Sequence, residues 1–240
     1  MQNLGYTRSA RRADHCLWTP DTFVRAPLPG MNNATAIVHI SPASGAGFMQ
    51  YTGELGAGGS LGPAMGQRFV YVLEGAIQAA GVDLTSDQYA YVPHHEEVAI
   101  LSLSGARVAV IEKRYEALQG LSPSAMFTGD EKAVKDAPLL EDTSIQVRAL
   151  IPSTADFDFA VNTMTYDPGA SLPMIEIHVM EHGLLMLDGG GIYRLSDCWY
   201  PVTAGDFIWM APYCPQWFGA LGKKPARYLI YKDWNRHPLA

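Results

Sequence analysis

Cysteine is scarce and scattered. The 240-residue chain has 3, at positions 16, 198 and 214, and no two form a Cys-x-x-Cys pair. That excludes a disulfide frame and a thiolate zinc site, and it fits a reducing compartment. Basic charge is short too: 17 Lys and Arg stand against 24 Asp and Glu, a net charge of −7 with no basic stripe. Nucleic acid and anionic membranes are therefore not expected partners. No run of about 18 apolar residues exists to span a bilayer. The start MQNLGYTRSARRADH lacks the apolar stretch of a secretory signal, so the expected location is cytoplasmic. Histidine is also rare, 7 in all, so any place where two fall together carries information.

One such place organises the chain. Glu176-Ile-His178-Val-Met-Glu181-His182 holds two imidazoles and at least one carboxylate, between a Pro-Gly turn and the run Gly189-Gly190-Gly191. Around it the grammar is that of short strands. Residues 1–33 are rich in proline and read as an irregular N-terminal arm. From Ala34 to residue 118, runs such as Arg68-Phe-Val-Tyr-Val-Leu and Arg107-Val-Ala-Val-Ile alternate with Gly and Pro punctuation, as in a β-sandwich or barrel. Residues 119–142 are polar, contain prolines and lack alternation, and read as a linker. Residues 143–240 then repeat the pattern. Leu73-Glu74-Gly75 answers Leu187-Asp188-Gly189, Asp87 to Pro93 answers Asp206 to Pro212, and Ala106-Arg107 answers Ala226-Arg227, at offsets of 114, 119 and 120 residues. The expected fold is all-β, a tandem duplication of one domain.

The duplication is an internal control. It sets Gly62, Ala64 and Arg68 opposite Glu176, His178 and His182. Gly and Ala offer no ligand atom and Arg is a fixed cation, so a metal site in the second half has no copy in the first. His94 and His95, beside Glu96 and Glu97, read as a surface turn, because a ligand set needs three or four convergent groups. The stretch 176–182 has rivals. Each His could be an ordinary satisfied residue, and His178-x-x-Glu181-His182 spells the inverted zinc-protease pattern, which needs a helix. The alternation in Met174-Ile-Glu-Ile-His-Val favours a strand. In an extended chain 176, 178 and 182 share parity and can face one interior. Two imidazoles with a carboxylate suit Mn, Fe, Ni or Zn. A fourth ligand should come from the later hairpin, where spacing does not separate Cys214 from Gln216. Lys232 ends a strand whose inner face also carries Tyr228 and Ile230. There it either turns outward to solvent or, if buried, is lowered toward general-base range.

These residues resemble a known family, the ureidoglycine aminohydrolases of purine breakdown, which are bicupins with one live site. The resemblance is carried by Glu176-x-His178-x3-His182-Gly183, Gly191-Ile-Tyr193-Arg-Leu, Trp199-Tyr-Pro-Val, Ala204-Gly-Asp206, Trp209-Met-Ala-Pro, Pro215-Gln216-Trp217 and Arg227-Tyr228-Leu-Ile-Tyr-Lys232-Asp-x-Asn235-Arg236. It is looser in the first half, at Leu17-Trp18-Thr19-Pro20-Asp21 and Glu112-Lys113-Arg114-Tyr115. It implies two cupin-type β-barrels and one manganese ion per chain, held in the second barrel by Glu176, His178, His182 and Gln216. It implies proton transfer by Lys232. Substrate binding falls to Glu176, Tyr193, Gln216, Tyr228 and Lys232. The implied reaction releases ammonia from (S)-ureidoglycine, a small anionic ureido compound, to give (S)-ureidoglycolate, in a homo-oligomer. One departure is Gly190, where the family tends to carry Gln. The competing readings are a non-catalytic metabolite-binding bicupin and another metal-dependent cupin enzyme, an oxygenase or isomerase.

Overall fold

The computed structural model describes residues 6–236. No α-helix occurs among them; three short 3-10 turns, Pro20–Thr22, Pro42–Ser44 and Glu131–Ala133, punctuate a chain of strands. In order these are β1 (Ala10–Arg11), β2 (His15–Trp18), β3 (Met31–Ile40), β4 (Met49–Leu61), β5 (Gln67–Ala79), β6 (Val82–Thr85), β7 (Gln88–Val92), β8 (Ile100–Leu101), β9 (Ala106–Lys113) and β10 (Phe127–Asp130). They continue as β11 (Ala137–Leu139), β12 (Asp142–Ala149), β13 (Phe159–Tyr166), β14 (His182–Asp188), β15 (Gly190–Leu195), β16 (Cys198–Thr203), β17 (Phe207–Met210), β18 (Gln216–Ala220) and β19 (Ala226–Asp233).

The strands gather into two compact units. The N-terminal unit is Val24–Val134 with Thr154–Asp158; the C-terminal unit takes the chain up to Phe23, Lys135–Ser153 and the chain from Phe159 onward. The period-2 pattern decides what each buries. In β5, Val70 and Val72 enter one core with Tyr51, Leu55, Val108 and Val110. In β14, Leu184 and Met186 enter another with Tyr166, Tyr193, Phe218, Tyr228 and Ile230. The duplication extends to an irregularity. The β5–β9 ladder slips between Val72 and Glu74, and the β14–β19 ladder between Met186 and Asp188. Gly75 and Gly189 sit just beyond, at φ +75° and +65°, where a Cβ would fall 2.3 Å from the Gly105 carbonyl and 2.5 Å from that of Pro225. A bulge of this kind needs glycine, which is why Leu-(Glu/Asp)-Gly recurs.

The boundaries depart from those expected. The N-terminal arm is not irregular throughout: β2 pairs antiparallel with β17, Leu17 opposite Ile208, and Leu17 is fully buried in the C-terminal core. Arg8 adds an ion pair to the buried Asp206, 2.6 Å away. The stretch 119–142 is not simply a linker. It contains β10, which pairs with β7 in the N-terminal unit, and β11, which pairs with β12 in the C-terminal unit. The two leading segments are equivalent, since β2 and β10 each precede a 3-10 turn and each joins the corresponding strand, β17 or β7. Each repeat's leading strand therefore completes the unit built by the other repeat. Such edge pairing is set by backbone hydrogen bonds, which composition does not reveal.

Because Leu17 belongs to the C-terminal core, Leu17→Ala is expected to lower stability by about 2–4 kcal/mol, measured by urea denaturation. A loss below about 0.5 kcal/mol, typical of a surface site, would show that the arm does not contribute to that core.

Candidate metal centre

The stretch 174–181 is not the regular strand that its alternation implied. It touches the sheet through one antiparallel bridge, Glu176 with Gln216, and β14 starts only at His182. Ile175 and Ile177 are exposed, with Glu176 and His178 half-buried between them. The alternation survives, but the outer apolar side chains have nothing to pack on, so no ladder extends. The single bridge is nonetheless well made: Glu176 N–H donates to the Gln216 carbonyl at 2.8 Å and Gln216 N–H to that of Glu176 at 2.9 Å. Tyr213 N–H donates to the His178 carbonyl at 2.8 Å. Two distant pieces of chain are thereby held face to face.

Glu176, His178, His182, Tyr193, Gln216, Tyr228 and Lys232 line one cavity of about 250 Å³, with Met164, Met180 and Trp234 among its walls. His182 Nε2 lies 3.2 Å from His178 Nδ1. His178 Nε2 is 3.1 Å from the Gln216 amide nitrogen and 3.7 Å from Glu176 Oε2. Burial pushes His182 down to about 3, and the neighbouring His178 and Lys232 push the same way. His182 is therefore a neutral imidazole. With Nδ1–H facing the Tyr231 carbonyl at 3.3 Å, its Nε2 lone pair is free for a ligand. Burial also lowers Lys232, opposed by Glu176. The Tyr193 and Tyr228 hydroxyls are raised well above their usual value by burial and stay protonated. Tyr193 donates to Gln216 Oε1 at 3.2 Å, and the Tyr228 hydroxyl sits 2.8 Å from that of Tyr166.

The donor set fits a metal ion. It has nitrogen and oxygen atoms only, one carboxylate, and a neighbouring pair of imidazole nitrogens. His178 presents Nδ1 to His182 and Nε2 to Gln216 and Glu176, so one of its two nitrogens would serve an ion shared by the set. Cys214, the rival fourth ligand, turns away into the core, with its Sγ 3.9 Å from the Ser196 hydroxyl. Glu181 is engaged elsewhere: the Trp209 indole N–H donates to it at 2.7 Å. The helical protease geometry is absent among the described residues.

Two other clusters are less suited. Among the described residues, Asp14, His15 and Cys214 bring three ligand atoms within 4.8 Å. Their polar atoms already bond one another and their neighbours: His15 Nδ1 to Asp14 at 2.8 Å, His15 Nε2 to the Tyr200 hydroxyl at 2.9 Å, and the Ser196 hydroxyl to Asp14. This cluster is a latch. His94 and His95 are exposed, with His94 stacked on Tyr115. The N-terminal unit has its own cavity, about 260 Å³, lined by Gly62, Ala64, Arg68 and Glu112. There Arg68 pairs with Glu112 at 2.8 Å, in the register position that His182 and Lys232 share in the other unit. Sequence reasoning missed Asn162 and Trp234. Trp234 shares the parity of Tyr228, Ile230 and Lys232, which was a usable signal; no residue of β13 stood out in the sequence, so nothing there marked Asn162.

The His182 shift has a pH consequence. An unfolded chain takes up a proton below about 6.5 that the folded imidazole refuses until about 3. Its contribution to stability is complete above pH 6.5 and is lost as pH falls toward 3. Metal-free protein carrying His182→Asn is expected to lose less stability than wild type between roughly pH 6.5 and 4, in urea melts at stepped pH. Equal slopes would mean that His182 is not held neutral.

A family model described as Cupin domain matches residues 162–231. The (S)-ureidoglycine aminohydrolase of Arabidopsis thaliana is 41% identical over 98% of this chain and 80% of its own length. The (S)-ureidoglycine aminohydrolase of Escherichia coli strain K12 is 29% identical over 94% of this chain and 90% of its own. A crystal structure of a glyoxylate-induced protein from Pseudomonas aeruginosa superposes with a TM-score of 0.87 at 28% identity, over 96% of this chain and 92% of that one. At 41% identity over 98% of its length to a named member, this chain belongs to the (S)-ureidoglycine aminohydrolase family.

Proposed function

We propose that this protein is a metal-dependent hydrolase that converts (S)-ureidoglycine and water to (S)-ureidoglycolate and ammonia. The observation that carries this reading is the convergence of Glu176, His178, His182, Gln216 and Lys232 on one cavity in a chain 41% identical to a named aminohydrolase. Glu176, His178, His182 and Gln216 would hold the metal, for which the family resemblance implies manganese. When bound, the ion supplies Lewis-acid stabilisation of developing negative charge.

The chain's own residues supply the rest. One carboxylate and three neutral ligands leave a divalent site with net positive charge, which favours a carboxylate-bearing substrate. The Tyr193 and Tyr228 hydroxyls, held neutral by burial, line the place where the ureido group would lie and can donate or accept there. The reaction forms one C–O bond and breaks one C–N bond. Water must lose a proton and the leaving amine must gain one. Lys232, lowered by burial, can take the first and return the second, so it ends as it began. The walls orient the reacting carbon, which removes part of the entropic barrier.

Homo-oligomerisation belongs to the same proposal. Met174, Ile175 and Ile177 are 58%, 44% and 60% exposed, an apolar patch of the kind that marks association surfaces. A cytoplasmic location is also proposed, from the three unpaired cysteines; no helix of the described chain is long and apolar enough to cross a membrane.

The deciding experiment is ammonia release from freshly made ureidoglycine, with product chirality, with and without chelator and oxygen. Chelator-sensitive, oxygen-independent release of the (S) product above the spontaneous rate is expected. Release no faster than background after metal reconstitution would overturn the reading, and oxygen dependence would point to an oxygenase. Lys232→Met is expected to retain metal and lose turnover to background; full activity would remove its proton-transfer role. His178→Ala is expected to lose most bound metal, read by elemental analysis. Full stoichiometry in that variant would remove His178 from the ligand set.

A further inference from the structure

We propose that Asn162 is the positioning residue for Lys232: its side-chain oxygen accepts a hydrogen bond from Lys232 Nζ and fixes where that nitrogen stands in the cavity. The proposal rests on the aminohydrolase reading for its catalytic meaning, but not for the contact itself.

Asn162 lies on β13, with 7% of its surface exposed. It shares inward parity with Met164 and Tyr166, so it is a polar group in the middle of an apolar face. A buried amide is costly unless bonded. The orientation that gives both ends a partner has the amide nitrogen donating to the Val161 carbonyl at 3.0 Å and the oxygen accepting from Lys232 Nζ at 3.2 Å. An amide's two ends are told apart by such partners, and the ammonium settles which end faces it. Lys232 Nζ also lies 5.0 Å from the centre of the Trp234 ring. A long, flexible side chain is thus held at its tip by two groups.

The other repeat provides a control. There β4 takes the place of β13. Tyr51 pairs with Val110, two residues before Glu112, as Asn162 pairs with Ile230, two residues before Lys232. The Tyr51 hydroxyl donates to Glu112 at 2.9 Å. In each repeat this strand position hydrogen-bonds the ionisable residue of the last strand, and its polarity follows the charge. A hydroxyl donor meets the carboxylate and an amide acceptor meets the amine. The residues directly across from the charged groups, Met49 and Ala160, have no such hydrogen-bonding groups.

The test uses full-length protein, with Asn162→Leu to remove the acceptor at similar volume and Asn162→Asp to restore an oxygen. Two readouts are taken: steady-state kinetics on ureidoglycine, and the rate of Lys232 labelling by an amine-reactive reagent, by peptide mass spectrometry, with the exposed Lys223 and Lys224 as internal references. Asn162→Leu is expected to lower kcat at least tenfold with KM within about twofold and metal content unchanged, and to speed Lys232 labelling several-fold. Asn162→Asp is expected to return labelling to the slow wild-type rate. Wild-type labelling in Asn162→Leu would overturn the contact, and wild-type kcat in that variant would overturn its catalytic meaning. Labelling as fast in Asn162→Asp as in Asn162→Leu would overturn the acceptor role. If Asn162→Leu does not fold, Asn162→Ala takes its place in both readouts. If wild-type protein shows no turnover, the aminohydrolase reading fails, while labelling still decides whether Asn162 holds Lys232.

Discussion

His182, buried, and Lys232, half-buried, face each other across adjacent strands. Burial lowers the pKa of both, and the neighbouring His178 and Lys232 lower that of His182 further. The first repeat meets the same register constraint differently. Arg68 and Glu112 occupy the paired positions and neutralise each other. A closed ion pair has little left to offer a reactant. A neutral imidazole beside an amine lowered by burial is not closed off in this way. Glu176 raises Lys232 against the pull of burial.

The rest of the C-terminal unit holds this pair and the side chains around it in place. The Glu176–Gln216 bridge joins the loop before β14 to the start of β18. The loop between β17 and β18 is tied in turn to the N-terminal segment, where Ala211 N–H donates to the Asp14 carbonyl at 2.9 Å. The Asp14 side chain bonds Ser196 and His15, and His15 reaches Tyr200. A segment far away in sequence thus steadies the loop that carries Gln216. The exchange of leading strands between repeats makes this possible, because β2 lies along β17 rather than in the unit its own repeat builds.

The N-terminal unit retains the bulge, the glycine and the cavity, but Gly62, Ala64 and Arg68 stand where the other repeat has Glu176, His178 and His182. Its polar floor is self-satisfied: Glu112 accepts from Arg68 and Tyr51, and Arg68 also donates to the Gly62 carbonyl at 2.7 Å. Divergence has therefore changed the side chains at matched positions while leaving the backbone solution intact, as expected when bulge and register are set by glycine placement and alternation.

Much of this was legible from residues alone. Alternation and turn residues specified strands, and the recurrence of Leu-(Glu/Asp)-Gly and Asp-x5-Pro specified the duplication. The crowding of Glu176, His178 and His182, with matched parity at Tyr228, Ile230 and Lys232, marked the cavity wall. These signals are local, because a strand's side-chain period is fixed by its own backbone. Which strand pairs with which edge is not local. The placement of β2 and β10, the irregular path of 174–181, the burial of Cys214 in the core while Gln216 lines the cavity, and the meeting of Asn162 with Lys232 depend on contacts between segments far apart in the chain. Only the folded chain could decide them, because each is fixed by a hydrogen bond or a burial whose partner the local sequence does not contain.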